Sequence, residues 1–264
     1  GTSAIVPAGT TGESPTLSHE EHERVIELCV KESKGKIPII AGTGSNSTDE
    51  AISLTKYAEK IGANAALVVT PYYNKPTQEG LYQHFKAISD SCDLPIIIYN
   101  IPGRSVVDIN IETMKKLAKL KNIIGVKDSS NDLSRPLLTT ESIGKNFCQI
   151  SGEDATVVPF LSQGGHGCIS VTANIAPRMC SDLHNAWQKG NFKKVQSLNS
   201  FLFPLHNVLF LETSPGPVKY AASLLKICSE ELRLPLVKVE PSTKKEIKSI
   251  LTKLKIKPIK KNKC

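Results

Sequence analysis

Lys127 closes the run Ile123-Ile124-Gly125-Val126, just before the polar residues Asp128-Ser129-Ser130. Such a run reads as a parallel strand buried on both faces, and a lysine is the residue it should least contain. An unpaired buried ammonium costs several kcal/mol unless it gives up its proton. At a reference pKa near 10.4, about one lysine in a few thousand is a free amine at pH 7. One tuned down to about 7 to 8 becomes an effective nucleophile and base. The chemistry on offer is therefore covalent attack by an amine on a carbonyl. The alternative is a lysine that merely reaches out of a barrel mouth into water.

Other reactive types recur where apolar runs end. They are Gly9-Thr10-Thr11-Gly12-Glu13-Ser14, Thr70-Pro71-Tyr72-Tyr73-Asn74, Tyr99-Asn100-Ile101-Pro102-Gly103-Arg104, Gly152-Glu153-Asp154 and Gly167-Cys168-Ile169-Ser170. Together they offer hydroxyls that pass protons and glycines, Gly152 among them, that let a substrate approach the backbone. They also offer one arginine able to grip a carboxylate in bidentate fashion. No His, Cys and carboxylate cluster has metal-ligand spacing, so neither a metal nor another cofactor is expected. Gly9-Thr10-Thr11-Gly12-Glu13 lacks the Lys-Ser/Thr of a phosphate-binding loop. His166, between two glycines, reads as part of a turn, and His84, His184 and Trp187 as packing or surface residues on helices.

The elements that must position these residues repeat. Seven Val- and Ile-rich runs, at 2 to 9, 37 to 44, 65 to 73, 94 to 102, 122 to 130, 147 to 154 and 167 to 174, alternate with amphipathic helices. Ser18 with Glu21 makes a capping box, closed at the far end by Gly35, and Ser47 with Glu50 repeats the device. Thr77 and Asn110 cap two more helices, and Ser134 caps a helix that tolerates Pro136 in its first turn. Three further helices follow near 191 to 210, 215 to 229 and 243 to 254. Strand and helix in alternation mean a parallel α/β sheet with right-handed crossovers. Without a strand-GxGxxG-helix unit, a (β/α)8 TIM barrel is expected rather than an open doubly wound sheet. Seven strands are one short of eight, so the barrel is expected to lack its first strand-helix unit. The expected domains are an N-terminally incomplete barrel over 1–190 and a C-terminal helical domain with a Lys-rich tail over 191–264.

Composition removes other classes. No run approaches 18 apolar residues, so no membrane span is expected. The first residues lack a signal-peptide pattern. Seven cysteines without a CxxC pair fit reduced thiols of a cytoplasmic protein. The formal net charge of +8 is matched by nine lysines and one glutamate between Ser242 and Cys264. A basic helix and tail without interleaved aromatics is a solvated face rather than a nucleic-acid site.

The motifs GTTGES, PYYN, YNIPGR, GVK and GGHGCISVTAN, in this order across the chain, resemble the pyruvate-dependent Schiff-base aldolase family. The resemblance runs from Gly1 to about Pro235. It implies condensation of pyruvate with L-aspartate 4-semialdehyde on the route to diaminopimelate and lysine. Lys127 would form the imine and Tyr99 would exchange protons beside it, through a relay of Thr10 and Tyr73. Tyr73 would act in a neighbouring subunit, which implies a homodimer or a dimer-of-dimers tetramer. Thr11 and the backbone of Ile169 match groups holding the pyruvate carboxylate, and Arg104 the arginine holding that of the semialdehyde. A lysine-feedback site would use Ser14, His19, His22, Asn46, Glu50 and Tyr72. Two siblings stay open, a sialic acid lyase and a 2-keto-3-deoxy sugar acid lyase, against which Arg104 argues; so does an inactive truncated barrel. Asp128-Ser129-Ser130 stands where the family more often has Glu and Ala-Thr, and Pro15 where a small residue is usual.

Overall fold

The structure, a computed structural model, describes residues 1–258. The last lysines of the expected tail, and Cys264, lie outside the described residues. The helices and strands are α1 (His19–Ser33), β1 (Ile40–Gly42), α2 (Thr48–Lys60), β2 (Ala65–Val69), α3 (Gln78–Asp90), β3 (Ile96–Asn100), α4 (Pro102–Ser105) and α5 (Ile111–Leu117). There follow β4 (Ile123–Asp128), α6 (Arg135–Ile143), β5 (Cys148–Ser151), α7 (Val157–Ser162), β6 (Gly167–Cys168), α8 (Pro177–Gln188), α9 (Phe192–Val208), α10 (Gly216–Leu224) and α11 (Pro241–Lys253).

Two compact units emerge. The first comprises Ser3–Gly9 and Leu17–Ile169. Its six strands pair in parallel in chain order, β1 to β6. One face packs Ala66, Val68, Ile96, Ile98 and Val126 against Leu81, Phe85, Ile88, Met114 and Leu117 of the helices. The other, concave face of the curled sheet holds Leu67, Ile97 and Tyr99, with Ile40, Val69, Ile150 and Ile169 around them. Continuous apolar runs are what two covered faces require.

The run at 2 to 9 departs from expectation. Instead of a strand it makes one parallel bridge, Ile5 to Ile39, and Gly42 N–H donates to Pro7 O. Pro7 has no N–H to donate, and Ala8 turns the backbone at φ +52°, so the ladder stops there. No ladder joins β6 back to the Ile5 segment among the described residues.

Local chemistry sets most helix ends. Ser18 and Glu21 form the capping box, and Lys34 takes the left-handed cap just before Gly35. Thr77 and Asn110 cap α3 and α5 through their side chains. The expected box at Ser47 and the expected cap at Ser134 are corrected: neither makes a side-chain cap. Glu50 is instead engaged by Ser45 and His19, and Ser134 Oγ donates to Asp132. The Pro102–Ser105 turn is helical.

The second unit comprises Gly1–Thr2, Thr10–Thr16 and the chain from Ser170 onward. Its interior includes Leu183, Val195, Leu202, Leu205, Ala221, Ile247 and Leu251. The segment around Glu13, itself at φ +59°, is anchored here by an ion pair with Lys219. Arg233 Nη1 also donates to Thr16 O at 2.9 Å. The final helix is no purely solvated face, because Ile247 and Leu251 are buried, as is Leu254 just past its end. Lys244 there meets Glu230 at 2.7 Å and the Tyr220 ring at 5.0 Å.

Candidate active site

Parallel pairing of β3 with β4 sets Tyr99 directly beside Lys127. Both are buried, 8% and 9% exposed, and the Lys127 Nζ lies 4.0 Å from the centre of the Tyr99 ring. Tyr99 belongs to the concave-face cluster, so the amine sits on the inner side of the sheet at its C-terminal end. In α/β barrels and open α/β sheets alike, this end carries the chemistry.

Gly152 makes room for it. A methyl group there would stand 1.8 Å from Ser129 Oγ and 3.0 Å from Lys127 Cε. Gly152 N–H donates to Asp128 O, and Ile169 N–H to Ser151 O, which fixes both segments beside β4 and β5.

Glu153, at the same strand end, was named in sequence only as part of a motif. Burial pushes its carboxyl up, the positive field of Lys127 pulls it back, and Asp154 pushes it further up. Weaker pulls come from a hydrogen bond with the Ser129 side chain and from the charge of Arg104. The carboxyl thus lies in the electrostatic reach of both cations. Arg104 lies on α4 and is exposed.

The remaining expected residues fall in three places. Thr10 and Thr11 occupy a 3-10 turn, Thr10–Gly12, and Ser14 opens another, Ser14–Thr16, in the second unit. Tyr73 is 88% exposed and adopts φ +73°, a left-handed conformation that costs a non-glycine residue about 1–2 kcal/mol. The third place is around Glu50. His19 Nε2 lies 2.6 Å from its carboxylate, and Ser45 donates to the other oxygen. The Ser45 bond, chiefly, holds the Glu50 carboxyl below its usual range. Asn46 Nδ2 donates to Tyr72 O at 3.2 Å. His22 is buried, which lowers its pKa, and its Nδ1 has no partner at hydrogen-bonding distance among the described residues.

His166 serves the turn, its Nδ1 accepting from Gln149 N–H at 3.1 Å. Among the described residues, no three His, Cys, Asp or Glu side chains gather in a metal-binding group. None of the helices there is long and apolar enough to cross a membrane. Burial pushes the thiols of Cys29, Cys92 and Cys148 up.

Sequence reasoning missed Arg135. Its Nε lies 3.2 Å from Asp128 Oδ2, and its Nη1 lies 2.9 Å from each Asp108 oxygen. Its one signal was an arginine beside Pro136 at a helix start, which is too common to single out.

A buried amine at a parallel strand end, beside a phenol and a glycine that clears its stem, defines the class: a lysine-dependent carbonyl-condensing enzyme. Comparison narrows it. The chain belongs to the dihydrodipicolinate synthetase family, whose model matches residues 1–254. It is 63% identical over 253 residues to 4-hydroxy-tetrahydrodipicolinate synthase of Rhodospirillum centenum, covering 96% of this chain and 87% of that protein. The crystal structure of dihydrodipicolinate synthase from Aquifex aeolicus superposes with a TM-score of 0.96 at 46% identity, covering 99% of this chain and 89% of that one. The enzyme of Cyanidioschyzon merolae, solved with lysine bound, gives 0.94 at 35% identity, covering 97% and 87%.

Proposed function

We infer that the chain is a 4-hydroxy-tetrahydrodipicolinate synthase, a lyase that condenses pyruvate with L-aspartate 4-semialdehyde in lysine and diaminopimelate biosynthesis. The observation that carries the reading is the buried Lys127 amine 4.0 Å from the Tyr99 ring, in a family member matched over nearly its whole length. Lys127 Nζ attacks the pyruvate ketone, and loss of water leaves a cationic imine. The imine draws electrons from the methyl carbon, which loses a proton to become an enamine and attacks the aldehyde. Tyr99 passes the protons. The semialdehyde's own amine then closes the ring by displacing Lys127.

The other roles rest on the resemblance. Thr10 and Tyr73 complete the relay, Thr11 and the Ile169 backbone hold the pyruvate carboxylate, Gly152 lets substrate approach, and Arg104 grips the semialdehyde carboxylate. Exposure and a strained backbone favour Tyr73 acting outside its own chain, hence a homodimer or a dimer of dimers. The open sheet is read as the greater part of a (β/α)8 barrel within 1–190, with 191–264 as the helical domain. Lysine binds around Glu50, His19, His22, Asn46, Tyr72 and Ser14. Glu50, already shared by His19 and Ser45, supplies the charge for its ammonium. An unchanged rate in millimolar lysine would dispose of that site.

The reading is tested by treating the protein with pyruvate and borohydride and weighing the peptide that contains Lys127. A reduced pyruvate adduct there is expected. Folded protein without one overturns the reading and favours an inactive chain.

A further inference from the structure

The residues that follow Tyr99 and Lys127 in their strands form a clasp on the opposite face. Side chains alternate along a strand, so Asn100 and Asp128, themselves register partners, point away from the amine and the phenol. Asn100 Nδ2 donates to Asp108 Oδ1 at 2.7 Å and to Asp128 Oδ2 at 3.2 Å, and its Oδ1 accepts from Ile109 N–H at 3.1 Å. Arg135 reaches in from the start of α6. It contacts Asp128 through Nε at 3.2 Å, both Asp108 oxygens through Nη1, and Ile109 O through Nη2 at 2.5 Å. The second Asp128 oxygen accepts from the N–H and Oγ of Ser130. Two carboxylates thus share one guanidinium, and the surplus negative charge is met by the Asn100 amide and Ser130.

Such a network is a poor way to obtain stability. A buried ion pair often does no better than apolar residues of the same volume. What it adds is direction, because a guanidinium fork and a fully used amide accept few geometries. The segments so tied are informative. They are the end of β3 after Tyr99, the end of β4 after Lys127, and the stretch after α4, whose Arg104 lies four residues before Asp108.

We propose that Arg135 is a positioning residue: through Asp128 and Asn100 it sets Lys127 against Tyr99, and through Asp108 it holds the segment that carries Arg104. The proposal rests on Lys127 as the imine-forming residue. Displacing a reacting group by about 1 Å costs on the order of a hundredfold in rate. The two arms of the clasp therefore have separable effects.

The test uses the full chain and its Arg135→Lys, Asp128→Asn, Asp128→Glu and Asp108→Asn variants. The readouts are deuterium exchange into the pyruvate methyl, borohydride trapping, kcat and KM for both substrates, and melting temperature. Arg135→Lys and Asp128→Asn should lower methyl exchange and kcat by roughly ten- to a hundredfold with little change in pyruvate KM. Asp128→Glu should recover much of what Asp128→Asn loses. Asp108→Asn, at a side chain 46% exposed, should raise the semialdehyde KM while leaving methyl exchange as in the wild type. Wild-type exchange rates in the first two variants overturn the proposal. So does a loss that follows melting temperature alone, with Asp128→Glu no better than Asp128→Asn. Should Arg135→Lys fail to fold, Asp108→Asn decides, and an unchanged semialdehyde KM overturns it. A wild type that forms no adduct fails the assignment of Lys127; adducts and kinetics alike in all variants fail only the clasp.

Discussion

β3 and β4 end in two neighbouring pairs that face opposite ways and are treated oppositely. In the outward pair, Asn100 and Asp128, each side-chain nitrogen and oxygen has a protein partner. In the inward pair, the Tyr99 ring packs with Leu67 and Ile97 while the Lys127 amine rests over it. Rigidity enters from the side that does no chemistry. A site works best when its supporting shell is saturated in this way.

The sharpest way to break this contrast is at the amine. Lys127→Arg keeps the charge and removes the nucleophile, so turnover should fall by at least about 10³-fold and the borohydride adduct should vanish from the mass spectrum. Next comes the space beside it. Gly152→Ala puts a methyl group where Ser129 and the lysine stem already are, and kcat should drop on the order of a hundredfold, read by steady-state kinetics. Arg104→Leu should cost about tenfold or more in kcat/KM for the semialdehyde while adduct formation with pyruvate persists. Equal loss of both would show that Arg104 serves the fold and not the second substrate.

A smaller test carries the contrast away from the site. His84 is buried, with Nδ1 2.9 Å from Thr48 Oγ1 and Nε2 lacking a hydrogen-bond partner among the described residues. Burial lowers its pKa to about 4. A depressed folded pKa means that its contribution is fully present above pH 6.5 and is lost as pH falls toward 4. At pH 5 the native state should therefore be about 2 kcal/mol less stable than at pH 8 on this account. Urea titrations of wild type and His84→Gln at both values would measure it, with the variant showing the shallower pH dependence.

Features decided by near neighbours were readable from the chain alone. Ser18 with Glu21, Thr77 and Asn110 cap their helices because cap and amide are three residues apart. Lys127 stood out because charge contradicted its apolar run. The Ser47 box failed because Glu50 is held by Ser45 and by His19, 31 residues away. The first run was not a full strand because Pro7 and Ala8 break the ladder that its apolar residues promise. Arg135 was invisible because Asp108, Asn100 and Asp128 come together only when β3 and β4 pair. Glu153 was visible as a residue, yet its field depends on burial that no local pattern encodes.

Tyr73, extending into solvent from a strained backbone, has a consequence for genetics as well as for enzymology. If its hydroxyl serves a neighbouring copy, two crippled chains can repair one another. Co-expressing Tyr73→Phe with Lys127→Arg would assemble pairs in which one centre regains both a sound amine and a sound phenol. Activity would then return in the mixture although neither parent has it, and would fade on dilution as the pairs come apart.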